Sequence, residues 1–523
     1  MESDLEKVVT TEKKLKLERL AHVLVTGLFI MMTAGLLIAS VFSTTYMYND
    51  MDLVYKWDFP WVHILLLLAV LGIGGWFKYK QYSFWNYMPG NRFLILYTIL
   101  LTAAMFGWLY VTQLQLPELS DPSHCYDAAL DLLKGEDYAW VTVRQYMNQY
   151  PFQNGIVLFM ALLIRLFGDA AYMVFQVINI IFFILMNVAM CKTVRILFGE
   201  KVARYNYVLF PLYVPLTFYI TYVYGTMIGL SLALLALMFF FQFRQKRRVG
   251  YMVASALCMT GAIIIKQNYM IFLAALLILI MLDSIRTRRV KGLLGILLVV
   301  LCLETGTMAV NKTVEHIIHA ETPAGIPKMA WLAMGLQDTD DGAPGWFNAF
   351  NVYIYDRNHG DSAAITHVCL SDIKRSVIGF AKEPATLFLF FGEKIISEWN
   401  NPTFECFYIQ YGRPSAIELS EPVDQTIHMD GSINKVLVAI FNIVHTWILF
   451  GAAAFVILNR KKLDIFQLTY AMIFVGGFIF YTFWEAKSQY TIVYFVLLIP
   501  YAMMGFNEVM NRVAGLIKKR AEQ

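Results

Sequence analysis

A carboxylate stands at the start of a polar stretch that interrupts an otherwise apolar chain. Residues 114–155 separate two apolar runs and are rich in acidic and aromatic side chains, with Asp121 between Ser120 and Pro122. A fixed carboxylate can take the proton of an attacking hydroxyl group, which accelerates a reaction by about 10²–10⁴-fold. Ser and Asp are also preferred N-caps, so the same residues predict the start of a helix over 123–134. Asp121 is therefore a candidate base, a helix cap, or both.

Several cations stand beside apolar runs, where they can hold an anionic group. Lys266 follows such a run in Ile265-Lys-Gln-Asn268. An ionisable residue in this position is a candidate functional residue, and an equally good interpretation is a lysine that extends its ammonium to the membrane surface. For Arg144 and Arg165, a contact with lipid headgroups is the alternative to binding a ligand. The other candidate anion-binding cations are Arg144, Arg165, Lys394 and Lys487.

The composition places these residues in a membrane protein. Of 523 residues, 58% are hydrophobic and 15% charged, and the mean hydropathy is +0.55. A soluble chain carries about a quarter charged residues, and apolar runs of about twenty residues are long enough to cross a bilayer. We therefore expect an all-α polytopic membrane protein. The net charge of +4 comes from basic residues spread over the loops, which argues against a nucleic-acid partner.

The apolar runs predict about twelve transmembrane helices. Lys and Arg gather in alternate connections, which by the positive-inside rule lie in the cytoplasm together with both termini. Two long connections, 114–170 and 311–433, then lie outside the cytoplasm. The predicted spans are 21–43, 61–77, 93–113, 171–191, 205–222, 226–243, 250–265, 269–284, 292–310, 434–457, 465–483 and 490–507.

Charge and hydropathy divide the chain into five regions. The first is charged and amphipathic and is expected to lie along the inner membrane surface, ahead of two spans that precede the core. The core spans enclose the first outer loop, and the last spans follow the second outer region. The regions are 1–20, 21–92, 93–310, 311–433 and 434–523.

Two apolar segments are predicted to lie along the outer membrane surface. Residues 156–168 are too few to span a bilayer, and Arg165 would be costly at its centre. Residues 384–399 have an aromatic face, which is typical of an interfacial helix. We therefore expect both segments to be helices that belong to the outer loops.

Cysteine and metal-ligand patterns carry little chemistry in this chain. Cys369 and Cys406 fall in one outer region and either pair or, in the favoured interpretation, remain free. The acidic turn 337–342 lacks the rest of a calcium-binding loop. His316 and His319 have a helical spacing but no accompanying glutamate of a zinc motif. We therefore expect no metal cofactor, and a divalent ion is the less favoured alternative.

Several motifs together resemble a family of bacterial membrane glycosyltransferases. The resemblance is carried by their order and by their placement in the outer loops and before the last span. The family is similar to the protein O-mannosyltransferases and the aminoarabinose transferases, which have the GT-C fold. The matching residues are Pro117-Glu-Leu-Ser-Asp121, Tyr126, Ala129, Leu133, Gly135, Tyr150-Pro-Phe-Gln-Asn-Gly155, Arg165-Leu-Phe-Gly168 and Trp484-Glu-Ala-Lys-Ser-Gln-Tyr490.

This resemblance implies a reaction and roles for individual residues. The donor would be a polyprenyl-phosphate sugar, and the acceptor a cell-wall polysaccharide, teichoic acid or glycolipid. Asp121 would activate the acceptor hydroxyl, and Glu485 would line the lipid-phosphate side, unless it serves only as a partner for Lys487. Aromatic side chains can stack on sugars, although Trp140 better fits an interface belt. The candidates for sugar or acceptor binding are Glu118, His124, Tyr126, Tyr150 and Gln153.

A transporter is the main alternative. Twelve spans with both ends inside, and a basic loop between the sixth and seventh, also describe a transporter or a flippase of envelope precursors. A polymerase or ligase of lipid-linked polysaccharides would instead favour arginine-rich outer loops. Transporters keep their polar residues near the middle of the membrane, whereas polarity here gathers at the outer ends of the spans, so we favour the transferase.

Overall fold

The computed structural model describes residues 2–48, 53–116, 120–339, 342–411 and 413–523, and most of them are helical. In chain order the α-helices and strands are α1 (Glu2–Phe42), β1 (Ser43–Met47), β2 (Leu53–Trp57), α2 (Pro60–Tyr79), α3 (Asn91–Thr112), α4 (Asp121–Lys134), α5 (Tyr138–Val141), α6 (Tyr146–Gln149), α7 (Asn154–Phe167), α8 (Ala171–Phe198), α9 (Glu200–Leu209), α10 (Val214–Phe218), α11 (Thr226–Lys246), α12 (Val249–Ile265), α13 (Met270–Thr287), α14 (Leu294–Ile318), α15 (Met329–Met334), α16 (Phe350–Arg357), α17 (Ser362–Lys382), α18 (Pro384–Trp399), α19 (Glu421–Ile427), α20 (Ser432–Asn459), α21 (Thr469–Phe483), α22 (Ser488–Phe495) and α23 (Ile499–Ala521).

The protein is an all-α polytopic membrane protein. Within the described ranges, ten helical runs are long and apolar enough to cross a membrane, and they match ten of the twelve predicted spans. The small exception to the helical fold is an antiparallel hairpin in which Ser43 of β1 pairs with Trp57 of β2. This hairpin was not predicted from the sequence.

Two predicted spans differ from the others. The span predicted at 250–265 is the 17-residue helix α12, and the one predicted at 205–222 is broken into α9, α10 and short 3₁₀ turns. Proline cannot continue a helix, and Pro211 and Pro215 both fall in this segment. The carbonyls of Ile220 and Tyr222 are bonded by the Asn179 side-chain amide of α8, at 3.0 and 2.9 Å. Irregular backbone is tolerated here because α8 supplies the missing hydrogen bonds.

The two segments predicted to lie along the outer membrane surface are helices, and the first helix is longer than the first predicted span. The segment predicted at 156–168 is α7, and the one at 384–399 is α18 with the same bounds; their position along a membrane surface stays a prediction. Helix α1 runs unbroken from Glu2 to Phe42. Residues 2–20 are therefore continuous with the first span in one helix, and their position along the inner membrane surface stays a prediction. Cys369 and Cys406 are both free.

Basic side chains meet at one end of the bundle. Arg244 and Arg247 both bond Asp283, at 3.0 and 2.5 Å, and Arg286 bonds Asp464 at 2.5 Å. Asp283 and Arg286 lie in the last turns of α13, whereas Lys266 precedes the start of α13 through a 3₁₀ turn. The two ends of the bundle therefore differ in charge and chemistry.

Two glycines let the long helices α20 and α23 cross closely. A Cβ atom at Gly505 would stand 1.8 Å from the carbonyl oxygen of Gly451, and one at Gly451 would stand 2.5 Å from that of Ala502. Membrane helices associate through such small residues, because they allow extensive van der Waals contact. The crossing holds these two C-terminal spans against each other.

Gly505→Ala is therefore expected to lower the apparent melting temperature of the solubilised protein. The added methyl group forces the two helices apart, at a cost of about 1–3 kcal/mol. Size-exclusion chromatography after heating measures the change. The matched control is Gly515→Ala on the same helix, where nothing lies within 4 Å of a new Cβ and alanine is the better helix former. Equal melting of the two variants would contradict the close crossing.

Candidate active site

A cavity of about 380 Å³ lies at the end of the bundle opposite the arginine–aspartate clusters. Its walls come from the start of α4, the turn between α6 and α7, the link between α12 and α13, residues 324–331 and residues 484–490. The structure thus brings together segments that are far apart in the sequence. The predicted site residues that line the cavity are Asp121, Tyr150, Gln153, Lys266 and Glu485.

The start of α4 presents Asp121 to the cavity. Ser120 is the N-cap: its backbone N–H donates to Ser123 Oγ at 2.9 Å, and its own Oγ accepts from the Ser123 N–H at 3.4 Å. Gly135 ends the helix with φ +75°, a conformation that glycine adopts without strain. Because Ser120 caps the helix, the exposed carboxylate of Asp121 is left for another role.

The end of α12 sets the position of Lys266. The carbonyls of Ile264 and Ile265 pack against Gly155 and Gly225, where a Cβ atom would stand only 2.2 and 2.5 Å away. The chain then turns to an extended conformation at Lys266, with φ −155°. Any larger residue at either glycine would push this chain end out of the cavity wall.

The ammonium of Lys266 is held against polar and aromatic groups. Nζ donates to Thr226 Oγ1 at 2.8 Å and stands 4.6 Å from the centre of the Tyr224 ring. Burial lowers the pKa of Lys266 to about 7, although the nearby charge of Asp121 opposes this shift. The lysine is therefore a cation whose charge depends on what occupies the cavity.

Glu485 lies in the short link between α21 and α22. Its side chain is buried, and burial raises its pKa to about 7, with Lys487 opposing the shift. The link is fixed through its backbone: the Ala486 N–H donates to Gly345 O, and Lys394 Nζ donates to Trp484 O, at 2.8 and 2.7 Å. Glu485 thus stands on a rigid support beside Trp484, which also lines the cavity.

Lys394 has a different environment from Lys266. It is fully buried in α18 and does not line the cavity. Its ammonium donates to the carbonyl oxygens of Gly335 and Trp484, and burial lowers its pKa to about 8. The geometry of Lys394 is that of a structural residue that joins three segments.

Lys487 is half-buried, with Nζ 6.0 Å from the centre of the Tyr408 ring, and is also absent from the cavity wall.

The other predicted residues that the structure describes lie away from the cavity wall. Arg144 pairs with Asp356 at 3.2 Å on the surface, and Arg165 is exposed in the last turn of α7. The His124 ring stacks on Tyr146 at 5.0 Å, one layer behind the cavity, and Tyr126 is half-buried. Glu118 lies outside the described residues, and binding roles for all of these residues stay predictions.

The interface-belt interpretation of Trp140 is wrong. Its side chain is fully buried, and its indole N–H donates to Asn154 Oδ1 at 2.9 Å. Trp140 therefore packs beneath the cavity wall, between the first outer segment and the start of α7. A buried tryptophan with a satisfied N–H is a common core residue.

The cavity also contains residues that the sequence analysis missed. They are aromatic, amide and cationic side chains from four separate segments, so no spacing along the chain could reveal them. The clearest example is Trp331, whose ring lies 6.0 Å from that of Trp484 and nearly parallel to it, at 4°. These additional lining residues are Tyr224, Asn268, Lys328, Trp331 and Asn351, whereas Gln489 and Tyr490, which also line the cavity, belong to the matching motif 484–490.

A buried carboxylate supports one wall. Glu405 Oε1 accepts from Ser488 Oγ at 2.8 Å and from the Gln489 N–H at 3.1 Å. Phe404 and Glu405 have φ values of +47° and +62°, which is unusual for non-glycine residues and costs about 1–3 kcal/mol at each. The surrounding contacts hold this strained turn, and the turn in turn positions Gln489.

The cavity as a whole combines the carboxyl groups of Asp121 and Glu485, the ammonium of Lys266 and a set of aromatic and amide side chains. Such a set suits a ligand with hydroxyls and an anionic group. Among the described residues, no three His, Cys, Asp or Glu side chains come together in a way that could hold a metal ion.

Two lysine variants separate structural from binding roles. Lys394→Met is expected to lower the apparent melting temperature, because two buried carbonyls lose their donor, at about 1–3 kcal/mol each. The control, Lys266→Met, removes a cation that faces the cavity and should melt near the wild-type temperature. Thermal unfolding of both purified variants provides the measurement. A Lys394→Met protein that melts at the wild-type temperature would contradict the structural role of this ammonium.

A scan against protein-family models and a search of curated proteins found no match. Among solved structures, the chain is similar to the crystal structure of ArnT from Cupriavidus metallidurans bound to undecaprenyl phosphate. The sequence identity is 14%, and the alignment covers 78% of this chain and 77% of that chain, with a TM-score of 0.33. So low a score leaves the family and the activity to be decided by the chemistry of the site.

Proposed function

We propose that this protein is a membrane glycosyltransferase that moves a sugar from a polyprenyl-phosphate carrier to a hydroxyl group of an acceptor outside the cytoplasm. One observation carries the proposal: Asp121, at the start of α4, and Lys266, at the end of α12, line the same cavity among aromatic and amide side chains. The sequence resemblance agrees, since Tyr150 and Gln153 of one matching motif also line this cavity.

The residues support transfer by a single displacement. The acceptor oxygen attacks the anomeric carbon while the bond from that carbon to the phosphate oxygen breaks, and the electron pair leaves with the lipid phosphate. Asp121 takes the hydroxyl proton, and Lys266 balances the charge of the departing phosphate. One displacement inverts the configuration at the anomeric carbon, so we infer an inverting enzyme.

Other cavity residues are assigned to binding. Tyr150, Trp331 and Tyr490 offer aromatic faces on which a sugar ring can lie, and Asn268 and Gln489 offer amides for its hydroxyls. A buried Glu485 that is neutral at low pH tolerates the lipid phosphate beside it. We infer a sugar in a cavity of this size, and a cell-wall polysaccharide, teichoic acid or glycolipid as acceptor.

The proposed location of the site follows from charge. Basic residues favour the cytoplasmic side of membrane proteins, and Arg244, Arg247 and Arg286 gather at the end opposite the cavity. We therefore place both termini in the cytoplasm of a plasma membrane and the cavity on the other side. A carrier whose chain is anchored in the outer leaflet could present its sugar there.

The transporter alternative is less well supported. Transporters bind substrate near the membrane midplane, where both sides can reach it in turn. The cavity instead lies where α12 and α21 end and α22 begins. A transferase needs access from one side, which fits a cavity at one end of the bundle.

Asp121→Asn is expected to lower kcat by about 10²–10⁴-fold, because the amide cannot take the acceptor proton. Donor binding and melting temperature should change little, since Ser120 rather than Asp121 caps α4. Transfer from a synthetic polyprenyl-phosphate sugar by purified protein provides the measurement.

The matched control for this experiment is Asp127→Asn, an exposed carboxylate on the same helix that does not line the cavity. It should retain wild-type transfer. Full activity of the Asp121→Asn protein would exclude the proposed base.

Transfer efficiency at low donor concentration is expected to fall above about pH 7. Lys266 and Glu485 both have pKa values of about 7, so rising pH removes the ammonium charge and adds a carboxylate charge. Both changes weaken binding of an anionic donor, and each lowers kcat/KM by about tenfold per pH unit. The pH profile of kcat/KM tests this.

Lys266→Arg provides the comparison for the pH profile, because arginine stays charged at every pH used. Its profile should fall less steeply, and Glu485→Gln should remove the remaining slope. A wild-type profile that is level from about pH 6 to pH 9 would contradict the assignment of Lys266 to the donor phosphate.

A further inference from the structure

A second cavity, of about 180 Å³, lies between the β-hairpin and the first turns of α2 and α20. The hairpin and the starts of α2 and α20 lie at the same end of the bundle as the first cavity. The two cavities share no lining residue. Its walls contain both charged and apolar side chains.

The floor of this cavity is polar and incompletely satisfied. Asp58 Oδ2 accepts from Thr44 Oγ1 and from the Asn442 amide, at 2.5 and 2.9 Å. The same amide nitrogen lies 3.4 Å from His63 Nε2. His63 and Asn442 are only 6% and 3% exposed, yet among the described residues His63 Nδ1 and Asn442 Oδ1 have no hydrogen-bond partner.

Buried polar atoms without partners are rare and call for a ligand or water. Here one is an amide oxygen, which accepts a hydrogen bond, and the neighbouring Asp58 also accepts. An acceptor-rich floor suits hydroxyl groups rather than a bare anion, because a phosphate would be repelled by the carboxylate.

The rim of the cavity is cationic. Lys56 of β2 and Lys435 of α20 line it and are both exposed. Lys435 lies 4.0 Å from Asp430 in a solvent-exposed pair, which contributes little binding energy. Two ammonium groups above an acceptor-rich floor fit a ligand that carries its phosphate at the rim and its hydroxyls inside.

The outer side of the cavity faces the apolar surface of the bundle. Phe59 on the rim is 69% exposed, and Trp61, Val436 and Ile440 beside it are 60%, 59% and 47% exposed. In membrane helices such exposed apolar faces contact lipid. An acyl chain could therefore lie against them while its headgroup occupies the cavity.

We propose that this cavity binds the headgroup of an anionic lipid that carries both a phosphate and free hydroxyls. The site is separate from the proposed transfer site and does not depend on its activity. The buried Asp58, His63 and Asn442 would receive the hydroxyls, and Lys56 and Lys435 the phosphate.

The test measures lipid retention by the full-length protein in native mass spectrometry, with dioleoylphosphatidylglycerol as the probe. Wild type should retain it about tenfold better than dioleoylphosphatidylcholine, which has neither net charge nor hydroxyls in its headgroup. Lys56→Ala/Lys435→Ala should lose this preference. The control, Lys80→Ala, removes an exposed lysine at the other end of α2 and should keep it.

Further measurements test separately whether the floor binds hydroxyls and whether the ligand is a lipid. Asn442→Leu should reduce the preference for dioleoylphosphatidylglycerol over dioleoylphosphatidic acid, whose headgroup lacks the glycerol hydroxyls. If Asn442→Leu does not fold, the Lys56→Ala/Lys435→Ala variant still tests the site. Equal retention of phosphatidic acid by wild type would overturn the assignment of hydroxyls to the floor. Stabilisation by glycerol 3-phosphate equal to that by the lipid, or unchanged retention in the double lysine variant, would overturn the lipid site.

Discussion

A charged side chain is costly in hydrocarbon, and this constraint fixes where the helices around the proposed active site end. Helix α12 stops one residue before Lys266, and α21 stops two residues before Glu485. Neither group can be drawn into its span, so both chain reversals lie at the same end of the bundle. The start of α4 brings Asp121 to that place. The position of the cavity thus follows from where the apolar helices end.

Contacts between the two long outer regions hold the cavity closed on its remaining sides. The Ile326 N–H donates to Gln149 O at 2.9 Å, next to Tyr150 of the cavity wall, and the Tyr355 hydroxyl donates to Asn148 Oδ1 at 2.8 Å. Arg413, buried in the second region, donates to Gln115 O of the first at 2.8 Å. These bonds involve buried groups that would be costly to leave unpaired. The two regions therefore act as one unit around the site.

Features that depend on local chemistry were predictable from the sequence. Ser120 and Gly135 mark the ends of α4, and the apolar run 384–399 has the bounds of α18. Pro211 and Pro215, which break the span predicted at 205–222, are visible in the sequence, but the hydrogen bonds that Asn179 of another helix supplies to the broken backbone are not. The burial of Lys394 was hidden for the same reason: its two acceptors come from segments 59 and 90 residues away. The sequence shows which residues are cationic, but it does not show which of these cations face the cavity.

The proposed binding of an anionic donor involves two groups with pKa values of about 7. Burial penalises both charges, so near neutral pH the empty cavity can leave Lys266 and Glu485 uncharged. A lipid phosphate beside them would favour the charged form of the lysine and the neutral form of the acid. In both cases the side chain takes up a proton: the charged lysine then attracts the phosphate, and the neutral glutamic acid no longer repels it. The same burial that makes the residues expensive to charge thus makes the site respond to the charge of its ligand, whereas two permanently ionised groups would cancel each other and discriminate less.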